Sequence, residues 1–269
     1  MFDRYAVVDT ETTGFDPETN ALVELGVVRE SGDMRHSLVN PGEVRISFGA
    51  MATHHITQSM VADAPGVMDA LSYVGLEPAT SPCMYCEGSG LTDSSSEPCD
   101  ECISGFVQTS PDHAAPSVLV FHNAQFDRGF LPEWLRNIPY VCTWRCALHL
   151  VPEAESHSNG ALWYQLGLSH PMPPEAGLMP HRALFDAIMT SDILRWMIGR
   201  VGGSIEEALA ELVRLTRAPV LLAKCRFGKH AGDRWEDIPT SYMNWVLGQD
   251  FDEDTKHTCH HWLDLRGRR

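Results

Sequence analysis

An α/β fold is predicted by three observations. Short apolar strands crowd the first forty residues, a strand-then-helix pattern resumes after residue 116, and acidic residues stand where strands end and helices begin. The 269 residues, 43% of them hydrophobic, are enough for one α/β core with one or two small added modules.

Tyr5–Asp9 reads as a buried strand, Leu22–Arg29 as a second, and His36–Val39 as a third closed by the turn Asn40-Pro41-Gly42. Residues 57–75 read as helix. Over 77–116 the chain turns rich in Pro, Gly, Ser, Asp and Cys, which is the composition of an inserted module rather than of a core. Strand character returns at Ser117–Phe121, followed by a helix over Ala124–Arg136 and a strand at Tyr140–Thr143. Apolar spacing predicts helices over 143–150, 160–168 and 181–199, and Ser204 with Glu207 forms a capping-box signature that opens a helix over 205–216. Beyond Pro219 the texture changes again, to glycines, basic residues and aromatics. The expected organisation is a main domain over 1–216, an insertion at 77–116 within it, and a small C-terminal module over 219–269.

The formal charge of −16 argues against a surface that coats a nucleic-acid duplex, because phosphate backbones are held mainly by Lys and Arg. It leaves room for an enzyme that grips a few terminal nucleotides around cations, which supply the positive field themselves. The start, MFDRYAVVDT, lacks a signal peptide's basic lead and apolar run, and no stretch has eighteen uninterrupted apolar residues. A soluble, cytoplasmic chain with no membrane partner is expected. Four of the eight cysteines fall in two C-x-x-C pairs, Cys83/Cys86 and Cys99/Cys102, at zinc-ribbon or knuckle spacing, which predicts one structural Zn²⁺. Acidic residues dominate around them, so stapling of the insertion or contact with a protein partner is expected there rather than DNA binding. Cys142, Cys146, Cys225 and Cys259 read as reduced, buried thiols.

The chemistry is carried by three ordered motifs. Asp9-Thr10-Glu11-Thr12-Thr13-Gly14 lies at the end of the first strand, where alternation puts Asp9 and Glu11 on one face. Two carboxylates aimed at one point repel unless a cation sits between them. His122-Asn123-Ala124-Gln125-Phe126-Asp127 follows a strand, and His181-Arg182-Ala183-Leu184-Phe185-Asp186 opens a helix, giving four acids and one histidine in all.

These motifs resemble the DEDD exonuclease family, in the subclass whose third motif is H-x-x-x-x-D. The likeness extends through residues 50–57 (AMATHHIT) and 60–63, the segments 122–133 and 181–187, and FGKHAG at 227–232, leaving out only 77–116. It implies a ribonuclease H-like fold, a five-stranded mixed sheet flanked by helices, and 3′→5′ removal of nucleotides from DNA ends, single-stranded or frayed. It also implies two Mg²⁺ or Mn²⁺ ions, as suits hard oxygen ligands. Asp9, Glu11 and Asp186 would hold the ion that binds the attacking water, and Asp9 with Asp127 the ion beside the leaving 3′ oxygen. His181 would take the proton from that water, a task suited to imidazole. The terminal nucleotide would lie near Glu11 and the backbone of Thr12, with His54 beside it, Asn123 positioning substrate or Asp127, and Phe15 stacking on bases or packing on the adjacent helix.

The C-terminal module resembles the small F-G-K-x-x-G domain attached to some members of this family. Its aromatics Trp235, Tyr242 and Trp245 read as the module's own core, with Lys224, Arg226, Lys229 and Arg234 making it locally basic. Three function classes share the fold: a DNA exonuclease, an RNA exonuclease, and a catalytically idle nucleic-acid-binding module. The intact set of five motif residues argues against the third, and the resemblance selects DNA.

Overall fold

The computed structural model describes residues 4–76, 80–82, 106–108, 116–169 and 179–267. The strands run β1 (Tyr5–Thr12), β2 (Leu22–Arg29), β3 (Met34–Leu38), β4 (Thr80–Pro82), β5 (Phe106–Gln108), β6 (Val118–Phe121) and β7 (Tyr140–Cys142). Five of them form a mixed sheet in the order β3-β2-β1-β6-β7, in which β1 pairs antiparallel with β2 and parallel with β6. This is the sheet of the expected ribonuclease H-like fold. Every position of β2 is buried, as befits an interior strand covered on both faces.

The helices are α1 (Phe48–His54), α2 (Gln58–Val61), α3 (Val67–Tyr73), α4 (Ala124–Phe130), α5 (Glu133–Arg136), α6 (Thr143–Leu150), α7 (Asn159–Gln165), α8 (Ala183–Val201), α9 (Ile205–Arg217), α10 (Thr240–Leu247) and α11 (Glu253–Gly267). By contacts the chain divides into two compact units, one of residues 1–139 with 171–191 and the other of 140–170 with 192–269.

In the first unit the expected helix over 57–75 is two helices, because the Pro65-Gly66 step interrupts it. The helix over 124–136 is likewise divided at Pro132, which stands as the N-cap of α5. Short α1 went unpredicted; Ser47 caps it by accepting a hydrogen bond from the Ala50 N–H at 3.1 Å. Val23, Ile46, Ile56 and Val61 form a buried cluster that seats α1 and α2 on the sheet. β4 and β5 pair antiparallel, with Pro82 opposite Phe106. The proposed zinc ligands Cys83, Cys86, Cys99 and Cys102 lie between these strands and outside the described residues.

In the second unit the predicted capping box is present. The Ser204 hydroxyl accepts from the Glu207 N–H (3.2 Å) and the Glu207 carboxylate from the Ser204 N–H (2.8 Å). The C-terminal segment has its own core of Cys225, Trp235, Ile238, Met243, Val246 and Cys259, with Phe227, Tyr242, Phe251 and Trp262 against it. Most of the module's aromatics are therefore packing residues, as expected, while Trp245 is 50% exposed. The glycine of F-G-K is required twice over. Gly228 holds φ +63°, and a Cβ there would strike the Tyr242 hydroxyl. Cys142, Cys146, Cys225 and Cys259 are buried and free, and burial pushes the Cys146 thiol up to about 12. No helix among the described residues is long and apolar enough to cross a membrane.

Candidate active site

β1 outruns β6. The parallel ladder ends at Val7–Val120, so the last five residues of β1 are paired on the β2 side and open on the other. Asp127, in the first turn of α4, fills part of that gap, its Oδ1 accepting from the Thr10 N–H (3.1 Å) and the Thr10 hydroxyl (2.8 Å). Alternation then leaves Asp9 and Glu11 on one face, opposite Gly26 and Glu24 of β2, before the register slips between Glu11 and Thr12. α8 begins over this face. A Cβ on Gly26 would overlap the backbone of Ala183 and Leu184, so the missing side chain lets the helix start lie against β2. Asp186, in the first turn of α8, is thereby carried to the β1 carboxylates.

Asp9, Glu11 and Asp186 each offer an oxygen within 4.8 Å of the others, the one such cluster of possible metal ligands among the described residues. Burial and mutual repulsion dominate their electrostatics. Asp9 is raised well above the usual carboxylate range by burial, then by Asp127, Asp186 and Glu11. Glu11 is pushed up to about 9 by burial and then by Asp186 and Glu24. Burial lifts Asp127 to about 7 against the opposing Thr10 hydrogen bonds, and Asp186 to about 6 against the attraction of His181. Carboxylates so arranged ionise together only when a cation neutralises them, and their hard oxygens suit Mg²⁺ or Mn²⁺.

His181 is exposed at the rim of this cluster. Its backbone is left-handed (φ 62°), which excludes it from the helix expected to start there, and its N–H donates to Asp186 Oδ2 at 3.1 Å. Among the described residues only His55 and Asn123 are other non-glycines at positive φ. All three stand beside or within the motifs, where strained backbone conformations concentrate. Asn123 is the exposed N-cap of α4.

His54, expected beside the terminal nucleotide, is 2% exposed. Its Nδ1 accepts from the Ile56 N–H at 3.0 Å, which leaves Nε2 to donate to the Thr12 carbonyl at 3.1 Å. Both ring nitrogens are thereby committed to the backbone, one of them to Thr12. Thr12 itself is buried, its hydroxyl donating to the Gly14 carbonyl at 2.6 Å. Phe15 is 87% exposed yet meets Phe126 of α4 edge-on, with centroids 6.2 Å apart, so it packs and protrudes at once.

Residues 6–74 match the RNase_T exonuclease family. Exodeoxyribonuclease 10 of Escherichia coli K12 is 27% identical over 265 residues, spanning 96% of this chain and 98% of its own. Motif, fold and carboxylate cluster agree with these likenesses. The chain is similar to DEDD-type exonucleases. A solved structure described as exonuclease X in complex with 5′ overhanging duplex DNA superposes with a TM-score of 0.55 at 28% identity, covering 79% of this chain and 99% of that one. A PolC-type DNA polymerase III of Thermotoga maritima is 26% identical over 200 residues, which is 70% of this chain and only 11% of the polymerase. The chain thus also has likenesses inside much longer replication proteins.

Three further residues shape this site although the sequence reading gave them no role: Thr10, Gly26 and Glu24. Glu24 carried a readable signal as the one acid in the apolar run LVELGVVR.

Proposed function

We propose that the chain is a two-metal-ion 3′→5′ exodeoxyribonuclease that releases nucleoside monophosphates from DNA 3′ ends, single-stranded or frayed. The observation that carries the reading is the convergence of Asp9, Glu11 and Asp186, each offering an oxygen within 4.8 Å of the others. Relatives named for DNA hydrolysis, and a neighbour of known structure holding duplex DNA, support DNA as the substrate.

Asp9, Glu11 and Asp186 would hold one ion, and Asp9 with Asp127 the second. Bound divalent ions acidify water, align the phosphate and neutralise charge on the leaving oxygen. The protein's own groups do the rest. His181, fixed by its N–H on Asp186, takes the proton of the attacking water at its exposed ring. Thr12, held by His54, floors the terminal nucleotide, Phe15 offers a stacking face, and Asn123 sets the α4 turn that delivers Asp127. In this reading residues 1–216 form the exonuclease domain and 219–269 an accessory module. Cys83, Cys86, Cys99 and Cys102 staple the 77–116 insertion around one Zn²⁺, a suitable surface for a protein partner; the β4–β5 ladder at its base supports a self-contained insertion.

Digestion of end-labelled single- and double-stranded DNA and RNA, with and without Mg²⁺, tests the function. Mononucleotides should appear from DNA with a free 3′ hydroxyl, and a 3′ block should stop digestion. Internal cuts in circular single-stranded DNA, or preference for RNA, would overturn it. For the insertion, Cys83→Ser with Cys86→Ser should remove zinc, measured by elemental analysis, and spare hydrolysis of a short single strand.

A further inference from the structure

We propose that Glu24 and Arg182 form a clamp that sets the position of His181, making Glu24 a positioning residue for proton transfer that never touches DNA. The inference rests on His181 as the general base and adds what holds it. Glu24 is 1% exposed between Val23 and Leu25 of a fully buried strand, a placement whose desolvation cost demands compensation. Both of its oxygens are committed. Oε1 accepts from the Arg182 terminal nitrogen at 2.5 Å, and Oε2 from Arg182 Nε at 3.0 Å and from the Ala183 N–H at 2.9 Å. His36 adds a nitrogen 3.6 Å from Oε1.

This is a forked ion pair fused to the cap of α8, and His181 is the residue immediately before it. The left-handed His181 is thus pinned on two sides, by its own N–H on Asp186 and by the next two residues on Glu24. For an L-residue that conformation is strained, so it persists only where its neighbours fix it. The clamp is also indexed to the metal ligands. Glu24 is the cross-strand partner of Glu11, and Gly26, on whose backbone the helix start lies, is the partner of Asp9. Two alternate rungs of one ladder, with Thr10–Leu25 between them, therefore carry the carboxylates on β1 and the seat of the base on β2. With both oxygens spent on Arg182 and Ala183, Glu24 has the bonding of an anchor, unlike Glu11 across the rung.

The test is steady-state hydrolysis of a short single-stranded DNA oligonucleotide with Mg²⁺ by Glu24→Gln, His181→Ala and the double variant. His181→Ala should lower kcat by roughly 10²-fold, the usual scale of a general base. Glu24→Gln should lower kcat by about tenfold, leaving KM and the Mg²⁺ concentration for half-activation within about twofold, as befits an interaction that matters only in the transition state. In the double variant the losses should not multiply, and kcat should match His181→Ala alone within about twofold, because the clamp acts through the base. Losses that multiply would overturn the clamp while sparing His181. A wild-type rate in His181→Ala would overturn the base, and the clamp with it. Should Glu24→Gln fail to fold, Arg182→Lys keeps the charge but loses the planar fork, and the same comparison applies.

Discussion

Asp186 and Asp254 occupy the same kind of place, in the first turn of a helix and half-buried, and their surroundings treat them in opposite ways. At Asp254 burial alone would raise the carboxyl, but a two-point pairing with Arg145, one contact at 3.0 Å, and the Val220 N–H at 2.7 Å hold it below its usual range. At Asp186 burial lifts the carboxyl to about 6, with Asp9 and Glu11 converging on it. At Asp254 the two-point pairing with Arg145 outweighs burial; at Asp186 the attraction of His181 and its N–H do not, and the carboxyl stays raised. Burial thus prevails where carboxylates crowd and yields where a forked cation meets one.

The sharpest break in that contrast is at the acidic corner. Asp186→Ala or Asp9→Ala should cut hydrolysis by about 10³-fold, the scale of losing a principal charge-stabilising group, while the fold survives and even gains stability from relieved repulsion. Near-wild-type turnover would exclude the metal reading. Next in size is the response to pH. Carboxyls raised in the folded state hold more protons than unfolded ones, whose pKa is about 4, so without divalent ions stability should fall as pH climbs through about 6, 7 and 9, the values for Asp186, Asp127 and Glu11. Mg²⁺ replaces those protons, so its increment in Tm should be small at pH 5, grow toward pH 8, and come with proton release in calorimetry. An increment independent of pH would contradict this. The smallest effect belongs to the completed site. Asp254→Ala should cost about 2 kcal/mol of stability, read by denaturant unfolding, because it removes the carboxylate from Arg145 and the acceptor from the Val220 N–H. An unchanged midpoint would remove Asp254 from the architecture.

The same contrast explains what could be read from the sequence. Asp9 and Glu11 were legible because strand alternation is local, and β2 and α6 appear with the predicted bounds. Asp127 and Asp186 were legible as motif members, but not their manner of arrival, since Asp127 meets Thr10 across 117 positions and Arg182 meets Glu24 across 158. Spacing rules do not reach that far. His54 was legible as a residue placed beside the terminal nucleotide, but not its buried ring, whose Nε2 meets the Thr12 carbonyl across 42 positions. The misplaced start of α8 had a single cause, the left-handed backbone of His181, which no pattern of apolar residues reveals.

The β4–β5 ladder, with its rungs 80–108, 81–107 and 82–106, bears on what the chain between its strands has to span. Residues 82 and 106 stand as cross-strand partners, the geometry that a two-residue hairpin turn would join directly. The intervening chain thus leaves the described residues and re-enters them at neighbouring points, so the distance it has to span is fixed by one ladder rung whatever its own length.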